Sequence, residues 1–484
     1  MIKKGIETGL FAFLVIIAAV FWQKIVSENK RENTNLIIVS VDALRADHMS
    51  IYGYNKNTTP NIDSWGKDAF VFNQVRTVIP ITYPSFAALF TGLLPASSKI
   101  DRNVTFQPIS QNTQTLASIL KNNGFNNAAF LSNDVLNKEI NKGINNLSKD
   151  FDAYESFPYK NGEKINHVNY EKFINNAITW FIKNKEKRKF LWLHLNNAHG
   201  PYYPPTRFQC LFNQEYCQQI KNKSEQELSD EEKNLAGCQE QIISKDKIGL
   251  HETLYDGEIG YLDTIFGQLI ENLKNNHLDK NTVIVFLSDH GEGFDHNYNF
   301  SHGRVLYESS VRIPLIIKIP WINSHKKSVS VTVDNTDIMP TLVDLLRLKT
   351  DQLLIDGSSF SFKLDNKLLN LLPVKEKINK QFVFIVTSGS DKYAVTDGKY
   401  KYIYSLPDSC SANDQIKEEL YNLITDPNEV NNLVLKNPME KNFLREELMT
   451  FLFRFNLSKD TIINQPGYLQ EGNSQLDNFK YLGY

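Results

Sequence analysis

Two aspartates end short, wholly apolar segments of this chain, and one of them has a histidine beside it. The segment LIIVSVD ends at Asp42, and NTVIVFLSD ends at Asp289, which His290 follows. If both segments are parallel strands of one sheet, their carboxyl ends meet at the edge where ligands bind in such folds. Two carboxylates and an imidazole there predict one divalent metal ion, with Mn²⁺ or Zn²⁺ preferred and Ca²⁺ or Mg²⁺ as the alternatives. Taken alone, each aspartate could instead be a helix N-cap.

The stretch ITYPSFAALFTG supplies a hydroxyl that such an ion could activate. Thr82 stands two residues before Pro84, where a helix is expected to begin. A helix N-terminus favours the oxyanion of a phosphate or sulfate. A threonine hydroxyl is a poor nucleophile until a metal or a base activates it. Because Asp42, Asp289 and His290 offer that metal site, we predict Thr82 to be a metal ligand and the nucleophile rather than part of an ordinary capped helix.

The elements that must position these residues alternate along the chain. Further apolar segments at 126–132, 189–195 and 313–319 read as strands, and helical spacing is found at 113–124 and 257–276. This alternation predicts an α/β fold with a mainly parallel sheet covered on both faces. From about residue 380, FVFIV and YAVTDGKYKYIYSL predict antiparallel hairpins with Asp-Gly at a turn, followed by a helix, which together indicate a small C-terminal α+β subdomain.

Composition and the N-terminus restrict the partners. The 484 residues carry a net charge of −2, which gives no reason to expect a nucleic acid partner. Residues 8–26 contain a continuously apolar stretch after a short basic region at 1–7, and a linker at 27–35 follows. We expect an uncleaved single-pass signal-anchor with the catalytic domain outside the cytoplasm, whether periplasmic, extracellular or lumenal. A cleaved signal peptide and a buried helix are the alternatives.

Four cysteines and one charged run complete the survey. Cys210, Cys217 and Cys238 cluster, whereas Cys410 is distant. In an exported domain we expect one or two disulfides among them, with free buried thiols as the alternative. The charged run within 206–250 predicts a solvated surface insertion, and a partner-binding role for it is the alternative.

Several motifs occur in one order along the chain: VDALRADHMSIYGY, TPNID, TYPSFAALFTGLLP, HLNNAHGPYYPP, LSDHGEG and HGRVLYESSVRIPLII, then TDIMPTLVDLL, IDGSSF and ELYNLITDPNEVNNL. With them the chain resembles the sulfatase family of the alkaline phosphatase superfamily, from about Asn35 to at least Leu433. The resemblance implies a large mixed α/β sandwich, which we assign to residues 36–378, with a C-terminal subdomain at 379–484. It also implies an enzyme that acts on ester bonds.

Departures from the family pattern C/S-x-P-x-R bear on the chemistry. Thr82 occupies the nucleophile position and Phe86 replaces the arginine, so no formylglycine is expected. Ala43 stands where many sulfatases place a second metal-binding aspartate, and His290 stands where asparagine is common. The ligand set Asp, Thr, Asp and His is closer to phosphoryl-transferring relatives such as lipoteichoic-acid synthases and phosphoethanolamine transferases, although those use Glu at the first position. A phosphothreonine can be opened by in-line attack, whereas a threonine sulfate lacks the elimination route of formylglycine.

The resemblance also implies three substrate-contacting residues. The spacing of Asn103, twenty-one positions after Thr82, is similar to nucleotide pyrophosphatases/phosphodiesterases, in which such an asparagine contacts a phosphate oxygen. His199 is placed near the ester oxygens, and His302 aligns with the sulfatase lysine that contacts the anion or protonates the leaving group. A turn residue at 103 and ordinary loop histidines are the alternatives. His194, Asp47, Arg45 and His296 are left as structural or undecided.

These residues predict a metal-dependent ester hydrolase or transferase that acts on phosphoesters or phosphodiesters through a phospho-Thr82 intermediate. The substrate would be a phosphorylated or sulfated small molecule, glycan or lipid. One alternative is a sulfuric ester hydrolase that uses unmodified Thr82. The other is a non-catalytic, membrane-tethered binding protein.

Overall fold

The structure, a computed structural model, describes residues 33–102, 108–133, 135–137, 146–156, 170–183, 187–238, 243–322, 327–364, 381–389, 391–407 and 416–455. The strands within them are β1 (Asn35–Val41), β2 (Phe70–Phe72), β3 (Val75–Arg76), β4 (Asn126–Leu131), β5 (Ala153–Ser156), β6 (Lys189–Leu195), β7 (Gly237–Cys238), β8 (Thr282–Ser288), β9 (Phe294–Asp295), β10 (Tyr298–Asn299), β11 (Leu315–Lys318), β12 (Lys327–Val329), β13 (Val333–Asp334), β14 (Val383–Val386), β15 (Lys392–Thr396), β16 (Tyr400–Ser405) and β17 (Lys417–Asn422).

The α-helices span Pro60–Gly66, Thr82–Thr91, Pro95–Ser98, Leu116–Asn122, Tyr170–Lys183, Cys217–Lys221, Glu225–Leu235, Lys245–Asn275, Glu308–Val311, Ile338–Leu345, Ser361–Leu364 and Pro438–Arg454. Short 3₁₀ helices span Ala46–His48, Ser50–Tyr52, Asp279–Asn281 and Asn335–Asp337.

The largest sheet has the strand order β12-β2-β11-β8-β1-β6-β4-β5. Strand β1 lies between β6 and β8 and is parallel to both. Only β11 runs antiparallel to its neighbours in this sheet, β2 and β8. The predicted α/β fold with a mixed, mainly parallel sheet is therefore confirmed, and the carboxyl ends of β1, β6 and β8 lie side by side.

Both faces of the large sheet are buried, which explains its continuously apolar strands. On one face Leu36 and Ile38 of β1 join a core that includes Phe86 of the helix Thr82–Thr91. On the other face Ile37 and Val39 join a core built with the helices Pro60–Gly66, Tyr170–Lys183 and Lys245–Asn275. Alternate side chains of one strand thus hold helices on opposite sides of the sheet.

The helix Thr82–Thr91 has clear local causes for its limits. Ile81 before it is extended, and Pro84 lies in its first turn, where a missing N–H costs little. Gly92 ends the helix in the left-handed conformation, with φ of 68°. A Cβ added to Gly92 would lie 3.1 Å from Met339 and 3.2 Å from Ile355, so glycine also allows this close packing.

The predicted C-terminal subdomain contains the antiparallel meander β14-β15-β16-β17, which confirms the expectation of a small antiparallel unit. Gly398 of the predicted Asp-Gly turn has φ of 90° between β15 and β16. The helix Pro438–Arg454 covers one face of the meander through residues such as Leu444 and Leu448. The same apolar cluster includes Val78, so the meander packs directly against the segment that leads to Thr82.

The remaining expectations concern the insertion and the N-terminus. Cys210 and Cys217 form a disulfide within the segment 206–250, as expected of at least one pair. The predicted signal-anchor at 8–26 and Asn103 lie outside the described residues. Of the helices that the structure describes, none combines the length and apolar character needed to cross a membrane.

Candidate active site

The carboxyl edge of the large sheet brings the two predicted aspartates together. Asp42 directly follows β1 and Asp289 directly follows β8, and both are buried, at 0% and 1% exposure. The Asp42 N–H donates to the carbonyl of Leu195 at the end of β6, at 2.9 Å. The parallel pairing of β1 with both neighbours therefore places the two carboxylates and the end of β6 at one point.

His290 and Thr82 reach the same point from other segments. Nε2 of His290 lies 3.6 Å from Oδ1 of Asp42 and 3.5 Å from Oδ2 of Asp289. Oγ1 of Thr82, the first residue of its helix, lies 3.4 Å from the same Nε2. The structure thus brings together all four residues that the sequence predicts as metal ligands.

A second imidazole, that of His194, also lies in this cluster. Asp42, His194 and Asp289 each offer an atom, and these three atoms lie within 4.8 Å of one another. Nε2 of His194 lies 3.5 Å from Oδ2 of Asp42. Sequence reasoning left His194 undecided. The available signal was a histidine one position before the end of the strand KFLWLHL, in which the residues between Lys189 and His194 are all apolar.

Neighbouring groups fix one oxygen of each carboxylate and leave the other without a hydrogen bond. Asn133 donates to Oδ2 of Asp42. Oδ1 of Asp289 accepts from the N–H of Ala43 at 3.2 Å and from that of His290 at 2.9 Å. Within the described part of the chain, the other oxygen of each aspartate and Nε2 of His194 are buried without a hydrogen-bond partner. Buried polar atoms without partners are costly, and a divalent cation would pair with these, so the residues fit a metal ion.

The pKa values of the two carboxyl groups differ in direction. Burial and the nearby charge of Asp42 raise the pKa of Asp289 well above its usual range. Burial opposes ionisation of Asp42, but the surrounding histidines hold its pKa below the usual range. Burial and the neighbouring His302 lower the pKa of His290. Two buried carboxylates at this distance cannot both be charged without a compensating cation, which is the second property expected of a metal site.

Two more predicted residues, His302 and His199, border the cluster. The ring of His302 lies 4.1 Å from that of His290 and 5.0 Å from that of His199, between centroids. Nδ1 of His302 lies 3.2 Å from the buried carboxylate of Glu292. Nδ1 of His199 is 2.7 Å from the carbonyl of Gly200 and donates to it. In both rings Nδ1 is engaged, and Nε2 is the nitrogen available to a substrate.

Glu292 had no role in the sequence interpretation, although it belongs to the motif SDHGE. Its carboxylate raises the pKa of His302 against the opposing effect of burial. Arg45 donates to the Glu292 carbonyl at 3.2 Å and pairs with Asp47 at 2.8 Å. These two undecided residues therefore support the loop that carries the site. The ring of His296 stacks on that of Tyr307, with centroids 3.6 Å apart.

The structure places a buried cluster of potential metal ligands beside a helix N-terminus, at the edge of a mixed α/β sheet. This arrangement is typical of metal-dependent enzymes that act on ester bonds. The Sulfatase family model matches residues 34–348, and the model described as N-sulphoglucosamine sulphohydrolase, C-terminal, matches residues 296–454. The chain belongs to the sulfatase family, whose members hydrolyse esters.

Known proteins similar to this chain include both sulfatases and a phosphonate hydrolase. An arylsulfatase of Clostridium perfringens is 24% identical over 457 residues, covering 83% of this chain and 90% of that protein. The structure of a phosphonate monoester hydrolase of Agrobacterium radiobacter superposes with a TM-score of 0.66 at 17% identity, covering 87% of this chain and 96% of the other. A protein solved with its substrate D-glucosamine-2-N,6-O-disulfate gives 0.67 at 19% identity, with 88% and 99% coverage.

Proposed function

We propose that this protein is a metal-dependent hydrolase or transferase of phosphoesters, including phosphodiesters, in which Thr82 is transiently phosphorylated. One observation carries the proposal: the Thr82 hydroxyl lies at a helix N-terminus, 3.4 Å from Nε2 of His290, whose ring lies near one buried oxygen each of Asp42 and Asp289 that has no hydrogen bond among the described residues. An unmodified threonine suits phosphorus better than sulfur, because phosphothreonine can be opened by in-line attack.

The proposed ligands of the ion are Asp42, Asp289, His290 and the Thr82 hydroxyl. When bound, a divalent cation supplies Lewis acidity that lowers the pKa of a coordinated hydroxyl and offsets charge on the phosphoryl oxygens. The Thr82 hydroxyl would release its proton to water, and its oxygen would bond to phosphorus as the bond from phosphorus to the leaving oxygen breaks. The positive end of the helix dipole of Thr82–Thr91 lies beside Thr82 and favours the developing negative charge.

His302 and His199 complete the first half of the reaction. Glu292 engages Nδ1 of His302, so Nε2 can donate a proton to the leaving oxygen. His199, held through Nδ1 by the Gly200 carbonyl, contacts the phosphoryl oxygens together with Asn103. Water or an acceptor alcohol then attacks phosphorus, and the bond between phosphorus and Thr82 breaks, which restores the hydroxyl.

The intermediate gives the most direct test. We expect intact-mass and peptide mass spectrometry to find one added phosphoryl group on Thr82 after incubation with an aryl phosphate or phosphodiester. Thr82→Ala should lose metal-dependent turnover by at least about 10³-fold, whereas Thr82→Ser retains the nucleophilic oxygen and should keep part of it. Full turnover by Thr82→Ala, with metal content unchanged, contradicts the nucleophile assignment.

Sulfate ester hydrolysis is the second candidate, and the names of relatives such as the Clostridium perfringens arylsulfatase favour it. A paired assay with matched aryl phosphate, phosphodiester and sulfate separates the two activities. A higher kcat/KM for the sulfate, with no phosphoryl group on Thr82, selects this second activity. A protein that binds no divalent metal and turns over none of the three substrates is instead a non-catalytic binding protein.

We also propose that the protein is anchored by residues 8–26 with its catalytic domain outside the cytoplasm. The disulfide between Cys210 and Cys217 supports this placement, because disulfides persist in oxidising compartments. Protease accessibility of intact cells or vesicles tests the orientation. Recovery of the full-length chain in the soluble cytoplasmic fraction contradicts it.

A further inference from the structure

We propose that Ser40 fixes His194 as a nitrogen ligand, and that the resulting two-imidazole centre binds transition-metal cations such as Zn²⁺ in preference to Ca²⁺. The inference rests on the proposed function only in placing one divalent ion at Asp42 and Asp289. It concerns two residues, Ser40 and His194, to which the sequence interpretation gave no role.

The hydrogen bonds of Ser40 are compatible with a proton on Nδ1 of His194. Ser40 lies opposite His194 in the paired strands β1 and β6. Its Oγ accepts from the Trp192 indole N–H at 2.9 Å and lies 3.2 Å from the Leu193 carbonyl, to which it can donate its single proton. With that proton on the carbonyl, Oγ accepts from an N–H on Nδ1 of His194 at 3.0 Å, which is the tautomer of the proposed ligand.

This tautomer leaves Nε2 of His194 with a lone pair. That atom is buried and lacks a hydrogen-bond partner among the described residues, and Oδ2 of Asp42 lies 3.5 Å away. Two lone pairs that face each other in a buried site repel unless a cation lies close to both. The ring cannot easily turn away, because Phe86 packs against it edge-on with centroids 4.9 Å apart.

His290 has the same arrangement on the other side of the cluster. Its Nδ1 donates to the Gly291 carbonyl at 2.9 Å, and its Nε2 lies near both aspartates. Histidines that bind metals usually donate their second N–H to a fixed acceptor, which orients the ring. Both imidazoles here have that support. With His194 the proposed donor set has two nitrogens, from His194 and His290, two carboxylate oxygens and the Thr82 hydroxyl.

The donor set determines the preferred ion. Ca²⁺ and Mg²⁺ favour shells of six or more oxygens, whereas imidazole with carboxylate suits Zn²⁺, Mn²⁺ and related cations. Removal of His194 should thus weaken transition-metal binding much more than Ca²⁺ binding. Removal of Ser40 should act in the same direction but less, because it releases the orientation of the ligand while keeping the ligand.

Metal binding to the folded full-length protein tests this without any substrate. The probes are Zn²⁺, Co²⁺ and Ca²⁺, each added alone to chelator-treated protein, with affinity from competition titration and the visible absorption of bound Co²⁺ as a second readout. We expect wild type to bind Zn²⁺ and Co²⁺ at least about 100-fold more tightly than Ca²⁺. Ser40→Ala should lower transition-metal affinity by about 10- to 100-fold. His194→Gln should lower it further and change the Co²⁺ spectrum.

Two buried residues outside the cluster provide matched controls. Ser310→Ala removes a buried hydroxyl that has no hydrogen bond within the described residues, and His251→Gln removes a wholly buried histidine of the helix Lys245–Asn275. Both controls should bind Co²⁺ like wild type. Wild-type affinity and spectrum in both Ser40→Ala and His194→Gln, or equal binding of Ca²⁺ and Zn²⁺ by wild type, overturns the inference. Thr82→Ala separates the proposals, since loss of phosphorylation there leaves the imidazole-dependent selectivity intact.

Discussion

Two buried clusters of charged residues in this protein differ in whether the charges of their own side chains balance. The first is the candidate metal centre of Asp42, Asp289, His194 and His290. The second, which we call the ion network, consists of Arg76, Glu308, Lys401 and Glu429 and joins β3 and the helix Glu308–Val311 to β16 of the C-terminal meander. All eight residues are at most 8% exposed.

The ion network is internally matched. Lys401 lies 3.0 Å from Glu308 and 2.6 Å from Glu429, and Arg76 makes two hydrogen bonds to Glu308, at 2.9 and 2.8 Å. Two positive groups thus meet two negative ones, although Nη1 of Arg76 makes no hydrogen bond among the described residues. In the candidate metal centre the two carboxylates form ion pairs only with histidines within the described part of the chain. A buried cluster with matched charges stabilises the fold, whereas two buried carboxylates without a matching charge fit a bound cation.

The largest difference between the roles of the two clusters is expected when one carboxylate of the candidate metal centre is neutralised. Asp289→Asn removes one ligand charge with little change of shape, and we expect metal content to fall below one-tenth per chain and kcat to fall by at least about 10³-fold. The metal-free variant should be no less stable than the metal-free wild type, because repulsion between two buried carboxylates is relieved. Elemental analysis and chemical denaturation measure the two effects. A metal-free variant that is strongly destabilised would show that Asp289 serves the fold.

Removal of the Lys401 charge from the ion network should lower stability and leave metal content unchanged, the opposite of the effects expected for Asp289→Asn. Lys401→Met leaves two buried glutamates without their shared cation, and loss of one partner of a buried pair costs about 3–5 kcal/mol of unfolding free energy. Metal content and activity per folded molecule should remain close to wild type. Urea denaturation measures the loss, and Lys399→Met, at an exposed position of the same turn, is the control. An unchanged midpoint would mean that the network contributes nothing to stability.

The stabilisation by a bound cation should also differ between variants of the two clusters. Because a cation binds the folded chain, addition of Zn²⁺ or Mn²⁺ at about 100 times its Kd should raise the unfolding free energy by about 2.7 kcal/mol. Lys401→Met should retain this increment, whereas Asp289→Asn should lose it. Thermal unfolding with and without chelator gives both values. An equal increment in both variants would place the stabilising ion elsewhere.

The smallest expected effect is a pH dependence of the ion network. Burial, together with the charge of Glu308 and against the attraction of Lys401, raises the pKa of Glu429 from 4.5 to about 7. The folded chain therefore holds a proton at Glu429 that the unfolded chain releases above pH 4.5. This contribution to stability is complete below pH 4.5 and is lost as pH rises through about 7, by at most about 1.4 kcal/mol per pH unit.

Glu429→Gln removes that titrating group and keeps its shape. Relative to this variant, wild type should lose stability between pH 5 and 7.5, as measured by denaturation at fixed ionic strength. Parallel pH curves for the two proteins contradict a raised pKa at Glu429. The metal-centre variant Asp289→Asn should leave this difference unchanged.

Five of the eight strands of the large sheet, β1, β4, β6, β8 and β11, could be predicted from the chain because apolar runs bounded by polar residues are local signals. The strand predicted at 189–195 agrees with β6, whereas the helix predicted at 257–276 is only the later part of Lys245–Asn275. The earlier turns of that helix contain more polar residues, and tertiary contacts of residues such as Leu250 and Leu254 stabilise them. Local periodicity cannot detect that support.

The chain by itself determined which residue types stand at strand ends and at one helix start, so Asp42, Asp289, His290 and Thr82 were recognisable from local patterns and ordered motifs. Only the tertiary structure decided that Ser40 and Glu292 each hold a histidine, that His194 faces Asp42, and that Lys401 joins two glutamates. Those contacts cross between strands and segments far apart in the chain. Strand pairing and the packing of distant segments set the distances between these side chains.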